Sequence, residues 1–382
     1  MALRARSLGR WSVPVAVLAG ITGFAVLPHV LPASAAVPSL PPITPTELLD
    51  KVRTSNVRAL SGTVQMSSHL GLPDLGALGV GQGTMLDLLT GSHTSHIWVD
   101  GPDRVRVALD APSAESDWIR NGTDLWAWRS DTQTVQHTVL PADTPDATDA
   151  AQVKPSETVD PTTMAAKVLA MIEPSTTITV RTPDYIAGRA AYELVLTPKS
   201  AKSMVGDVAI GIDAENGVPL AVRIDVKNST TPAVSVAFSQ ISYATPDAST
   251  FAFSPPPGSS VTETADPTNL LPIGQSRHDH HGGRQGKDGG WFAYAPASTS
   301  GTAVENGMTT VGSDWDSVVI VSGQSVGGQL GGLLSSATTV QTAAGPAKLI
   351  STSLVNALVL DDGRIAVGAV TPAALAAAVP AN

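Results

Sequence analysis

The chain has no cysteine, which excludes disulfides, thiolate catalysis, cysteine metal sites and the lipid-bearing cysteine of bacterial lipoproteins. Aromatic residues are scarce, at 4%, so a core must be built mainly from Val, Ile, Leu and Ala. Basic residues are also few. Lys and Arg number 23 against 33 Asp and Glu, for a formal charge of -10, and a nucleic-acid partner, which needs clustered cations over phosphates, is excluded. No histidine follows His281, and no coherent set of catalytic residues stands out along the chain.

One long uncharged apolar run is present. Arg4, Arg6 and Arg10 precede it, it extends from Trp11 to Leu31, and Ala33-Ser34-Ala35 supplies a small-x-small site. This is the pattern of an export signal cleaved after Ala35, with retention as an N-terminal membrane anchor as the alternative. Pro14, Pro28 and Pro32 argue against a regular membrane helix throughout. Residues 1–35 contain three arginines and no acid, so their removal takes the charge from -10 to -13. The expected location is extracytoplasmic: secreted, or held at the outer face of the cytoplasmic membrane. High Gly, Pro, Ala and Thr fits an envelope protein of a GC-rich bacterium.

After a spacer over residues 36–42, Thr44-Pro45-Thr46-Glu47 predicts a helix start, with a hydroxyl cap, a proline in the first turn and a reciprocal acid. Strands dominate thereafter. Val105, Val107 and Leu109 alternate with Arg104 and Arg106, predicting a half-buried strand with its arginines on the other face. Trp118 to Trp128, folded about Asn121-Gly122-Thr123-Asp124, reads as a hairpin that places Trp126 and Trp128 on one face. Met164, Ala165, Val168, Leu169 and Ile172 predict a second amphipathic helix opened at Asp160-Pro161. Further strands are expected at 176–181, 191–196, 208–212, 220–226 and 234–238. The layout is α+β.

Residues 264–289 lack periodicity and read as a linker. Residues 290–382 form a β-rich extension, expected to pack on the first domain because Trp315, Val318, Ile320, Leu354, Leu358, Ile365 and Val367 require burial.

Several short segments occur in a distinctive order: the helix at 44–60, the strand at 104–109 and Asn121-Gly122-Thr123-Asp124-Leu125-Trp126-Ala127-Trp128. Then come Gly188-Arg189-Ala190-Ala191-Tyr192-Glu193-Leu194, Ile212-Asp213 with Gly217-Val218-Pro219-Leu220, and Phe251-Ala252-Phe253 with Pro256-Pro257-Gly258. In this order the chain resembles the periplasmic lipoprotein-carrier superfamily, in an actinobacterial form, over about residues 43–263. That superfamily includes the outer-membrane lipoprotein carrier, lipid-binding mycobacterial lipoproteins and the sensing domain of an anti-sigma regulator. The resemblance implies a strongly curved antiparallel half-barrel wrapped over helices, with an apolar cavity for acyl chains. The candidate lining residues are Val64, Met66, Val105, Val107, Trp126, Trp128, Tyr192, Leu194, Ile210 and Ile224. The same residues would equally serve as an ordinary packed core, because alternation does not separate a cavity wall from a sealed face.

Two motifs point elsewhere. Gly323-Gln324-Ser325-Val326-Gly327 matches a nucleophile elbow, but the histidine and acid that must follow it are missing, since His281 lies upstream. His278, His280 and His281 with Asp279 carry metal-ligand chemistry, in a Gly-flanked stretch poorly suited to fixed geometry. No cofactor or resident metal is therefore expected. The leading expectation is a non-enzymatic carrier for a lipid or an acylated polypeptide. The alternatives are an envelope sensor that binds a membrane protein, or a structural envelope protein.

Overall fold

A computed structural model describes residues 39–71, 90–111, 114–140, 173–264, 304–305, 308–321, 334 and 337–381. The leader, residues 160–172 of the expected second helix, residues 265–289 of the linker, the histidine cluster and Ser325 lie outside the described residues.

The first helix, α1 (Pro45–Arg53), begins as its sequence requires. The Thr44 hydroxyl accepts from the Glu47 N–H at 3.3 Å, and the Glu47 carboxylate accepts from the Thr44 N–H at 2.8 Å. Both otherwise unpaired donors are satisfied. Lys51 and Arg53 then stand in the last turn, where the helix dipole favours cations.

The chain continues through β1 (Ala59–His69), β2 (Thr90–Asp100), β3 (Arg104–Ala111), β4 (Ala114–Asn121), β5 (Asp124–Arg129) and β6 (Thr134–Val139). After the 141–172 segment come β7 (Thr176–Ile186), β8 (Arg189–Pro198), β9 (Val205–Asp213), β10 (Pro219–Val226) and β11 (Val234–Ser242). A 3₁₀ turn (Ala248–Phe251) and β12 (Ser260–Glu263) complete this part. The twelve strands form one sheet in the order β12-β6-β5-β4-β3-β2-β1-β11-β10-β9-β8-β7.

This arrangement corrects the expectation of a strongly curved, wholly antiparallel half-barrel. The sheet is open, with β12 and β7 at opposite edges, and it is mixed, because β12 runs parallel to β6. Strong curvature is built from bulges and kinks repeated along neighbouring strands. The pairs from β2 through β6 keep unbroken register, and interruptions are confined to β1/β11, β9/β10 and β7/β8. Nor do helices line the whole sheet among the described residues: α1 has nine residues and packs on β7 and β8.

A second sheet comprises β13 (Val304–Glu305), β14 (Met308–Val311), β15 (Val318–Val321), β16 (Thr338–Thr342), β17 (Gly345–Ser351), β18 (Asn356–Leu360) and β19 (Ile365–Gly368). Its order is β13-β14-β15-β19-β18-β17-β16. Helix α2 (Pro372–Ala378), capped by Thr371, seals Val318, Ile320, Leu358, Ala366 and Leu375 into a core of its own. No described helix is long and apolar enough to cross a membrane.

The two sheets share a further cluster. Leu70, Val205, Val226 and Ala233 of the first pack with Leu354 of the second. Main-chain bonds cross at the same place: the Met204 N–H donates to the Ala369 carbonyl, the Thr371 N–H to Lys202 and the Ser353 N–H to Leu70, each at 2.8 Å. The Trp315 indole N–H donates to the Thr176 hydroxyl at 2.7 Å. A chain cut within residues 264–289 is therefore expected to elute as one species on size exclusion. Leu354→Asp, which buries an unpaired carboxylate at a cost of several kcal/mol, is expected to separate the cut halves. Fragments that part without the substitution would refute the expectation.

Candidate functional site

Residues directly opposed on neighbouring strands project to the same side of a sheet, so the register sorts the candidate residues. One face carries Val64 and Met66 of β1, opposite Phe238 and Val236 of β11. It continues through Val222 to Ile210 and from Ile210 to Leu194, with Ile224 opposite Val208 and Tyr192 opposite Ile212. In the other direction Gly62 leads to Ile97, and Ile97 to Val107, with Val105 two residues along β3. Eight of the ten sequence-predicted residues thus share this first face.

They do not share one environment. Tyr192, Leu194 and Ile210 are packed under α1 with Leu48 and Ile212, and the Tyr192 hydroxyl donates to the Pro41 carbonyl at 2.9 Å. Ile224 belongs to the cluster shared with the second sheet. Val64, Met66, Val105 and Val107 are half-buried, and neighbouring Val222 is 39% exposed.

Trp126 and Trp128 occupy the second face. Trp126 is opposed to Ile119 and His137, and Trp128 to Asp117 and Val135. The tryptophan that does share a face with Val107 is Trp118. The chain itself covers part of the second face here: Phe251 is fully buried, the Thr250 carbonyl accepts from Arg106 at 3.2 Å, and Phe253 leans on Trp126 at a ring-centroid distance of 5.5 Å. Arg106, whose alternation pointed to solvent, instead pairs with buried Asp117 and lies over Trp98. Alternation shows which face a residue takes, and it does not show whether a later segment covers that face.

Farther along the second face, β7 to β10 carry a charged ladder. Arg181 bonds Asp207 at 2.6 Å and approaches Glu193 at 3.6 Å, while Arg223 reaches Glu193 at 3.4 Å and Asp225 at 3.0 Å. The ladder runs into a cleft of about 470 Å³ lined by Asp207, Arg223, Asp225 and Lys227, with Asn228 and Ser229 of the β10–β11 turn. A second cleft of about 460 Å³ lies between Lys51 in the last turn of α1, with Thr54 and Asn56 after it, and Glu215 and Asn216 of the β9–β10 turn. Both are polar. They are shaped to meet hydrogen-bonding groups and charges of either sign, and offer no continuous apolar wall to an alkyl chain.

The motif residues Arg189, Asp213 and Gly217 belong to a structural network beside the second cleft. Buried Asp213 accepts from Arg189 Nε at 2.7 Å, from the Tyr243 hydroxyl at 2.7 Å and from the Glu215 N–H at 2.9 Å. Burial would raise its pKa, yet these donors and the arginine charge outweigh burial and hold it below 3.8. Burial, and then the bond to Asp213, push the Tyr243 phenol upward. Gly217 has φ +76° and faces the Lys51 carbonyl at the end of α1, so any side chain there meets backbone as well as torsional strain.

No group of three or more His, Asp or Glu residues is gathered to hold a metal ion among the described residues. The arrangement nearest to a hydrolytic triad is Thr63, His96 and Asp110, with Thr63 Oγ1 3.2 Å from His96 Nδ1 and His96 Nε2 3.4 Å from Asp110. It stands on three interior strands, β1, β2 and β3, with no helix N-terminus among them to supply oxyanion donors.

No protein-family model and no curated protein matches the chain. Among solved structures it is similar to MucB in complex with MucA(peri), at 13% identity over 88% of this chain and 99% of that one, with a TM-score of 0.42. It is similar also to the Pseudomonas aeruginosa MucA/MucB complex, at 15% identity over 88% and 99% of the two chains and a TM-score of 0.40. A LolA superfamily protein from Nitrosomonas europaea is 11% identical over 56% of this chain and 99% of its own, with a TM-score of 0.22.

Proposed function

We propose that the protein is an extracytoplasmic, non-enzymatic binding module whose ligand is a polypeptide: an extracytoplasmic segment of a membrane protein. One contrast carries this reading. Tyr192, Leu194, Ile210 and Ile224, four of the ten candidates for a lipid cavity, are covered by α1 or by the second sheet. The open cleft beside β9 and β10 is instead lined by Asp207, Arg223, Asp225 and Lys227. Paired charges of both signs and turn amides suit a peptide backbone with mixed side chains.

A photo-crosslinker at Asn228 tests the proposal in the intact envelope. The expected result is one stoichiometric membrane-protein adduct, abolished by Arg223→Glu and absent when the crosslinker sits at Asn121. An acyl lipid retained at one per chain in native mass spectrometry, with no such adduct, would sink the polypeptide reading and favour lipid carriage through Val64, Met66, Val105 and Val107.

A further inference from the structure

The imidazole of His137, on β6, is buried between two carboxylates. Its Nε2 is 2.9 Å from Asp124 Oδ1 of β5, and its Nδ1 is 2.9 Å and 3.0 Å from the two carboxylate oxygens of Glu263 on β12. Trp126 stacks on the ring at a centroid distance of 3.7 Å. An ionised carboxylate only accepts, so both contacts are hydrogen bonds only when both ring nitrogens carry protons. The geometry is that of an imidazolium.

Among the described residues, the charged groups that face the ring are these two acids. Asp117 of β4, the next acid on this face, is held by Arg106 of β3, and the covering segment adds the uncharged Phe253 ring behind Trp126. Among the described residues, strand β12 is held mainly by its main chain. Its four residues are all exposed, Val261 at 47%, and its main chain is joined to the sheet by the parallel pairing with β6, by the Ser260 N–H to Gln133 and by the Thr264 N–H to His137.

We propose that His137 is a protonation-controlled clasp that seats β12 on the edge of the sheet. The doubly protonated ring holds Asp124 and Glu263 together. A neutral ring keeps one N–H, and the bond retained is the one to Asp124, because β5 is fixed to β6 within an antiparallel hairpin. Glu263, 70% exposed on an edge strand, then faces a ring lone pair and is released. Unseating β12 bares the N–H and C=O groups along the outer edge of β6, a surface on which another strand can pair.

The direction of the titration agrees. Burial alone would depress the imidazolium, but its hydrogen bonds to Glu263 and Asp124, with their charges, outweigh it and raise His137 above its ordinary 6.5. The clasp is therefore fully closed below pH 6.5 and opens as pH rises through the raised value.

Hydrogen exchange of the amides at 260–264 in the full chain tests this, corrected for intrinsic rates from about pH 6 to about pH 9, with the His137 ring followed by NMR in the same samples. Protection is expected to fall by about tenfold or more as the ring titrates, the equivalent of one charge-assisted hydrogen bond, while β3 and β4 stay protected. His137→Gln and Glu263→Gln are each expected to remove the pH dependence. Should His137→Gln not fold, Glu263→Gln decides alone, since its side chain is exposed. Protection that stays level while the ring titrates, or a pH dependence that survives Glu263→Gln, overturns the proposal.

Discussion

Asp213→Ala is expected to lower stability by about 3–5 kcal/mol, the usual penalty for removing one partner of a buried ion pair. Asp213 is 1% exposed and bonded to Arg189, Tyr243 and a main-chain N–H, so the substitution strands a guanidinium and a phenol together. Exposed Glu215, the other carboxylate on Arg189, cannot compensate, because it is 78% exposed and solvent screens it. Glu215→Gln is expected to change the urea midpoint by less than about 1 kcal/mol equivalent. The pH dependence gives an independent check. With its folded pKa depressed, Asp213 contributes fully above pH 3.8, and that contribution is lost as pH falls through the lower folded value. Wild type should lose stability on acidification below pH 3.8 more steeply than Asp213→Ala. Equal acid slopes would remove the carboxylate from the account.

Phe251→Ala is expected to cost about 3–5 kcal/mol, the range for an aromatic removed from a sealed site. Phe251 is fully buried in the 3₁₀ turn that the Asp247 side chain caps through the Ser249 N–H. Its loss should also loosen the bond from Arg106 to Thr250 and the contact of Phe253 with Trp126. A red shift of tryptophan fluorescence is therefore expected under native conditions. Phe253→Ala should cost about 1 kcal/mol, because that ring is half-buried and its aromatic contact is a single tilted pair. If the two variants are equally stable, the covering segment does not anchor on Phe251.

Much of the secondary structure was legible because it depends on local chemistry. The capping box at Thr44 and Glu47 forms as written, and the strict alternation of Val105, Val107 and Leu109, and of Val222, Ile224 and Val226, places strands correctly. What alternation could not convey was the relation of one strand to the next. The β3/β4 pairing puts Trp118 with Val107, while the turn at Gly122-Thr123 sets which residues of β4 and β5 oppose each other and puts Trp126 opposite Ile119 and Trp128 opposite Asp117, on the other side. The fold class failed for the same reason: curvature arises from the positions of register breaks, and those are invisible in a period-two pattern. β12 escaped notice because Ser-Val-Thr-Glu has one apolar residue, and the contact that fixes it, His137 with Glu263, spans 126 positions. Arg189 and Asp213 were conspicuous as motif residues, but their role as a buried pair appears only once β8 and β9 are adjacent.

The neighbour relation of β1 and β11 governs how the chain can fold. The Ser239 hydroxyl donates to the Thr63 carbonyl across 176 positions of sequence, and the two strands meet in the middle of the sheet. Loop closure over such a distance must precede the contacts that reward it, which gives high contact order and slow folding. A chain emerging N-terminus first completes the meander from β1 to β6 long before β11 exists. Until then β1 is a raw edge, eleven residues long, and Ser67 and Ser68 at its far end still lack their partners Ser235 and Val234. The half-made sheet is thus most prone to wrong pairing during the interval in which β7 to β10 are still arriving.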